Sequence, residues 1–161
     1  MEVIDNEPLQ ASFPLPRSID TRVFIHLTIK AKAITLFLTT ANQDEPSSPA
    51  AMGSFVYALP DRLNPAQPIS TTLYVHEPTL GFTQRMAKLI AKRANMPVYV
   101  TNSSSFTNCP EGGTVEEEMD VFKRVVDVVT ERVLRSYGSR LRGSSLHGWR
   151  HVETLMNSAS G

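Results

Sequence analysis

The chain contains one cysteine, Cys109, among its 161 residues. A single thiol cannot form an internal disulfide bond or a zinc site with four cysteine ligands, which excludes disulfide-rich scaffolds and zinc ribbons. A chain of this length buries roughly two-thirds of the surface that its unfolded form exposes, so its fold needs neither kind of cross-link. We therefore expect one globular domain in a reducing compartment.

Charge of one sign is not in excess either, because 16 lysines and arginines balance 16 aspartates and glutamates. The balance removes the global electrostatic reason to expect nucleic acid or an acidic membrane as a partner. No apolar run approaches the ~20 residues that cross a bilayer, and the acidic start of the chain is unlike a signal peptide. These features predict a soluble intracellular protein.

Apolar and polar residues alternate in several short segments, which is the pattern of strands with one buried face. The alternation predicts an antiparallel hairpin from strands at residues 22–30 and 34–39. Further strands are expected at residues 54–59, 69–75 and 98–101. Prolines and glycines between these segments mark the connecting loops.

Two segments have the period of helices instead. The first is expected to begin with Thr79 as its N-cap and to end at Asn95, because Pro97 cannot continue a helix. The second is expected to begin at a capping box at residues 114–117 and to end at Gly138. Together the elements predict an α+β fold, a mainly antiparallel sheet of five to six strands with two helices on one face.

The same patterns divide the chain into one domain and two tails. Residues 1–18 are rich in proline and lack a sustained period, so we expect a flexible tail. Residues 138–161 combine glycine, serine and arginine and are expected to form a flexible basic tail. Residues 19–137 then form the single α+β domain.

The predicted hairpin has two apolar sides. Its aliphatic residues fall on the side that helices can cover, and they are Val23, Ile25, Leu27, Ile34, Leu36 and Leu38. The other side carries Phe24, His26 and Phe37 among threonines, a mixture typical of a protein interface with aromatic anchors. We expect a partner protein to cover this side in a dimer. The alternative is that the chain's own terminal segments cover it.

Residues that could carry chemistry do not combine into a catalytic or metal site. Cys109 has no histidine near it in the sequence, and His147 and His151 have metal-ligand spacing but no third ligand. Residues 112–114 open a helix as phosphate-binding loops do, yet they lack the lysine and the spacing of those loops. We therefore predict no enzymatic activity, no cofactor and no metal.

Several segments, taken in order, resemble the proteasome assembly chaperone 4 family. They are HLT and LFL in the hairpin at residues 26–38, ISTTL at 69–73, TLGFTQRMAK at 79–88, NMPVYVTN at 95–102 and EEM at 117–119. The resemblance covers roughly residues 20–135. Longer connections at residues 42–49 and 102–113, and the tail beyond Gly138, suggest a fungal member of the family.

The resemblance implies a small, non-enzymatic α+β chaperone that forms a heterodimer with a related subunit, proteasome assembly chaperone 3. Such proteins help to assemble the α-ring of the 20S proteasome by transiently binding an α-type subunit. The resemblance also implies a location in the cytoplasm and the nucleus. The alternative function is a profilin-like or longin-like interaction scaffold in trafficking or signalling, which shares the order of strands and helices.

No binding site transfers from the family residue by residue, so the candidate contacts follow from side-chain chemistry. For the heterodimer face we predict Phe24, His26, Phe37 and Tyr99. For an acidic patch on a proteasome subunit we predict a basic stripe at helical spacing, formed by Arg85, Lys88 and Lys92. The alternative for the basic stripe is a solvated helix face with no partner.

Overall fold

The structure is a computed structural model that describes residues 7–42, 51–106 and 115–143. It contains six strands and two helices in these residues. They are β1 (Leu9–Leu15), β2 (Ser18–Ile29), β3 (Ile34–Asn42), β4 (Ser54–Leu59), β5 (Ile69–Tyr74), α1 (Glu77–Ala94), β6 (Val98–Ser103) and α2 (Val115–Gly143). The predicted strands and the two predicted helices are thus present, with one strand more than the alternation indicated.

The six strands form one sheet in the order β1-β2-β3-β6-β4-β5. Only the pairing of β3 with β6 is parallel, and the other four pairings are antiparallel. The chain leaves β5 at one edge, runs through α1 and returns as β6 between β3 and β4. This mainly antiparallel sheet with two helices confirms the predicted α+β fold.

Both helices pack on the same side of the sheet. The aliphatic residues of the β2–β3 hairpin are almost fully buried there, as the alternation predicts. They share one core with Phe82, Met86 and Ile90 of α1 and with Val121, Val125 and Val129 of α2. Successive strand residues point to opposite faces, and neither of the two described helices lies on the other side of the sheet.

The start of α1 differs from the prediction. The helix begins at Glu77, and His76 occupies the N-cap position without a side-chain capping bond. Thr79 is instead a buried residue of the first turn, where its Oγ1 accepts a hydrogen bond of 3.1 Å from the backbone N–H of Ser54. Pro78 fits inside the first turn because N–H groups there have no helical acceptor.

The first helix ends where the sequence predicts, and the second helix is longer than predicted. Asn95 adopts the left-handed conformation (φ 50°, ψ 42°) that ends α1 where predicted. The second helix passes Gly138 and continues to Gly143, because Tyr137 packs against the core and holds this turn in place. The first residue of the predicted capping box, Thr114, and the last eighteen residues lie outside the described residues.

The expectation of an unpaired N-terminal tail is wrong for residues 9–15. These residues form β1, which pairs antiparallel with β2 and places Ala11 opposite Ile25. Its inward residues alternate with exposed ones, and Leu15 is fully buried. The prolines of residues 1–18 argued against a strand in the sequence analysis. Proline lacks the backbone N–H group, but a strand at the edge of a sheet tolerates this loss because one of its sides has no neighbouring strand.

A close approach of two backbones yields a stability prediction. A Cβ atom added to Gly53 would lie 1.8 Å from the backbone oxygen of Asn102, whereas one added to Gly138 would meet nothing within 4 Å. We expect Gly53→Ala to lower the free energy of unfolding by about 1–3 kcal/mol through overpacking. The control Gly138→Ala should raise it by about 0.5–1 kcal/mol, because alanine is the better helix residue. Urea unfolding measures both, and a Gly53→Ala variant as stable as the parent would contradict the close approach.

Candidate interaction surfaces

The side of the sheet without helices gathers side chains from distant parts of the sequence. The strand register aligns Gln10, His26, Phe37, Thr101 and Phe55 in one row across β1, β2, β3, β6 and β4. Parallel rows place Phe24 beside Thr39 and Tyr57 beside Tyr99. We call this surface the aromatic face, and its ring-bearing members are Phe24, His26, Phe37, Phe55, Tyr57, Tyr74 and Tyr99.

The two phenylalanines predicted for the heterodimer are open to solvent. Phe24 is 39% exposed and Phe37 is 47% exposed. Within the described residues, β1 does not cover them, because it pairs beside β2 within the plane of the sheet. The edge of His26 packs against Phe37, with 6.0 Å between the ring centroids. The structure thus brings Phe24, His26 and Phe37 together on a partly exposed surface, and their role in binding stays a prediction.

Tyr99, the fourth predicted residue, lies in a second group of rings on the same face. Its ring centroid is 4.7 Å from that of Tyr57 and 6.2 Å from that of Phe55. Phe55 in turn is the register partner of the half-exposed Tyr74. The sequence analysis missed Phe55, Tyr57 and Tyr74, although the alternation in residues 54–59 already places Phe55 and Tyr57 on one side.

The chemistry of the aromatic face is that of a protein contact. Between its rings lie hydroxyl side chains such as Thr28, Thr35 and Ser103, and Arg22, near one corner of the face, donates to Ser12 Oγ at 3.0 Å. Aromatic anchors surrounded by neutral polar groups are typical of interface centres, from which charged side chains are depleted. The face can therefore bury a complementary surface without stranding a charge.

The basic stripe lies on α1, on the helix side of the sheet, and its three members differ. Arg85 forms an ion pair with Glu118 of α2 at 2.9 Å, so its charge is already engaged within the chain. Lys88 and Lys92 are exposed, and in the described part of the chain no carboxylate pairs with either. The members of the basic stripe therefore differ in ion pairing. The charge of Arg85 is partly neutralised by Glu118, whereas Lys88 and Lys92 can pair with an acidic partner.

A groove runs between the basic stripe and the loop that joins β4 to β5. Gln67 and Ile69 line it on one side and Lys88 and Lys92 on the other. The amide Nε2 of Gln84 donates to Thr72 Oγ1 at 3.1 Å, which fixes α1 against β5. The groove thus joins exposed lysines to the edge of the sheet.

The three glutamates at the start of α2 each have a structural partner. Glu116 pairs with the Arg17 side chain at 2.8 Å, and the buried Glu117 accepts a bond from the Arg17 backbone N–H at 3.2 Å. Glu118 is the partner of Arg85. These contacts tie α2 to the β1–β2 turn and to α1, so the acidic cluster serves packing.

Other candidate chemistry falls on residues that the structure does not describe. Cys109, residues 112–114, His147 and His151 all lie outside the described residues. Among the residues that are described, no three His, Cys, Asp or Glu side chains cluster as metal ligands do. Neither helix, within the same residues, combines the length and apolar character needed to cross a bilayer.

Comparison with known proteins places this geometry in a family. The family model for proteasome assembly chaperone 4 matches residues 22–103, which is about half of the chain and extends from β2 through β6. The chain belongs to the proteasome assembly chaperone 4 family. A search of curated proteins found no significant match.

A solved structure supports the fold of this proteasome assembly chaperone 4 family member. One chain of a structure described as a novel chaperone complex for yeast 20S proteasome assembly matches with a TM-score of 0.55. The match covers 79% of this chain and 97% of that chain, at 20% sequence identity. At this identity the likeness concerns the fold, so the six-stranded sheet with two helices is shared between them.

The family match includes every predicted contact residue. The aromatic face from Phe24 to Tyr99 and the basic stripe from Arg85 to Lys92 all lie within residues 22–103. The strand β1 and the helix α2 lie outside the matched segment. Within this family member, α2 nevertheless supplies part of the core and the partner of Arg85.

The contrast between the two faces of β3 predicts that substitutions at neighbouring residues differ strongly in their effect on stability. Leu36 is fully buried and Phe37 is half-exposed. We expect Leu36→Ala to lower the free energy of unfolding by about 2–5 kcal/mol, because it leaves a cavity. Phe37→Ser should change it by less than about 1 kcal/mol, because the ring leaves water only in part. Urea unfolding of the isolated chain measures both changes. A similar loss of unfolding free energy in the two variants would contradict the exposed position of Phe37.

Proposed function

We propose that this chain is a non-enzymatic chaperone that forms a heterodimer with a related subunit like proteasome assembly chaperone 3. The heterodimer promotes assembly of the 20S proteasome α-ring by transiently binding an α-type subunit, in the cytoplasm and the nucleus. The observation that carries this proposal is the aromatic face, an open surface of rings on a sheet whose other side is filled by its own helices.

A related α+β subunit is a suitable partner for the aromatic face. A subunit of the same architecture would also have one sheet surface without helices, and two sheets pack face to face about 10 Å apart with interdigitated side chains. Phe24 and Phe37 on one half of the face and Tyr57 and Tyr99 on the other supply anchors over four adjacent strands. A pairing of this kind encloses the rings between two sheets and leaves the helices outside.

The α-type subunit is assigned to the opposite side of the molecule. The lysines of the basic stripe lie on α1, so they stay accessible while the aromatic face is covered. Charges at the rim of an interface raise the association rate and select the partner more than they raise the affinity. Such a contact suits a chaperone that must later release its client, because it speeds binding without making the complex very stable.

The family match favours this chaperone over a profilin-like or longin-like scaffold in trafficking or signalling. The matching solved structure, described as a chaperone complex for yeast 20S proteasome assembly, supports the same function.

The heterodimer is tested by placing charge on the aromatic face. We expect the double variant Phe37→Asp, Tyr99→Asp to lose co-purification with a co-expressed proteasome assembly chaperone 3 subunit, because the new carboxylates would be buried without partners. Leu63→Asp is the matched control, since Leu63 is 96% exposed on the β4–β5 loop, away from the face. Circular dichroism of both variants checks the fold. A folded double variant that still co-purifies would refute the assignment of the face.

The contact with the client is tested by reversing charge on the basic stripe. Lys88→Glu with Lys92→Glu should reduce capture of α-type proteasome subunits by about tenfold at low salt and leave the heterodimer intact. The control reverses Lys30 and Lys32 in the β2–β3 turn, which are exposed but lie off α1. Pull-down from cell extract followed by mass spectrometry gives the readout. Equal capture by both variants would remove the basic stripe from the proposal.

A further inference from the structure

The sheet has two edge strands, and they differ in their protection. The edge strand β1 contains Pro14 and lies between Pro8 and Pro16, and each proline lacks the N–H group that a pairing strand needs. The helix α2 also reaches this edge, with the Arg124 guanidinium 5.0 Å above the Phe13 ring. An added strand therefore finds a poor template at β1.

The edge strand β5 is less protected within its own length, although Pro68 directly precedes it as Pro8 precedes β1. Residues 69–75 contain no proline and no charged side chain, and they are rich in β-branched residues that favour strands. Ile69, Leu73, Tyr74 and the following Val75 are each about half-exposed. Native proteins normally block such an edge with charge, proline or a covering element, because it recruits other strands. Among the residues that the structure describes, no strand pairs with the outer side of β5, so this edge can accept an additional strand.

Charge beside β5 indicates what kind of strand would pair there. Gln84 holds α1 over β5 through Thr72, and Lys88 lies one helical turn further along the same side of α1. Lys88, Lys92 and Arg85 line the groove that ends at Ile69 on the sheet edge. One carboxylate, Asp61, also lines the groove, and its Oδ1 accepts the backbone N–H of Leu63. A strand added outside β5 directs every second side chain to the helix side of the sheet, toward these lysines.

A second copy of this chain fits the edge poorly. Two β5 strands paired edge to edge would form one continuous sheet with both α1 helices on the same side. The lysines of both basic stripes would then approach each other across the junction, and like charges repel. The complementary occupant is a strand with carboxylates on its helix side.

We propose that the β5 edge binds an extended acidic segment of a partner protein as an additional strand, with the carboxylates of the segment facing Lys88 and Lys92. Main-chain hydrogen bonds to β5 would supply affinity, and the alternate acidic side chains would supply specificity. The proposal deepens the docking of an acidic client under the proposed function. The proposed function names only a charged patch as the contact. This proposal adds that the acidic segment is extended and pairs with the backbone of β5.

The test uses the full chain, labelled with 15N, and a synthetic heptapeptide of alternating valine and glutamate with blocked ends. We expect this peptide to bind and to slow hydrogen exchange of amides in residues 69–74 by about tenfold. A peptide of alternating valine and lysine, and a valine–glutamate peptide with alternate amides methylated, should each bind about tenfold more weakly. The amides of β1 serve as the internal reference, because its edge should not respond.

Protein variants separate pairing at β5 from other modes of binding. Lys88→Glu with Lys92→Glu should reverse the preference between the glutamate and lysine peptides, whereas the charge-matched control Lys30→Glu with Lys32→Glu should leave it unchanged. Binding that is unaffected by amide methylation, that perturbs the aromatic face instead of β5, or that is absent would overturn the proposal. No proteasome subunit takes part in this experiment, so its failure leaves the proposed function intact. Unsubstituted protein that binds the peptide at β5 but captures no α-type proteasome subunit would instead overturn the proposed function.

Discussion

The constraint on which the structure depends is that two helices cover only one side of a six-stranded sheet. Alternation along each strand sends aliphatic side chains such as Leu36 into the core between the sheet and helices, and sends neighbours such as Phe37 to the other side. Burial of apolar surface stabilises the first side within a single chain. The second side leaves Phe24 and Phe37 partly exposed to water, and this is the surface that the proposed heterodimer would bury.

Local sequence patterns were sufficient to predict most helices and strands of this fold. They were not sufficient to predict which strands lie next to each other in the sheet. Alternation located β2 to β6, and the asparagine before Pro97 located the end of α1, because these signals are contained within a few residues. The insertion of β6 between β3 and β4 depends on pairings between residues far apart in sequence. For the same reason the sequence predicted Tyr99 as a contact residue but did not place it beside Tyr57.

The sequence was sufficient to predict which residues belong to the candidate surfaces. It was not sufficient to predict which residues contact one another there. Helical spacing identified Arg85, Lys88 and Lys92 as a stripe, yet it gave no sign that a glutamate 33 positions later on another helix would engage the arginine. Prolines made β1 resemble a tail, because proline weakens a strand pattern even at an edge where the strand persists. In each case the missing information was the identity of a neighbour supplied by the tertiary fold.

The central position of β6 has a consequence for how the chain matures on the ribosome. Strands β3 and β4 are both synthesised before β6, yet each needs β6 as a neighbour. Until about residue 103 has left the exit tunnel, two interior strands therefore display unpaired backbone, and such contacts between distant residues form slowly. A protein that assists the assembly of others thus passes through a nascent stage in which its own unfinished centre is open to mispairing.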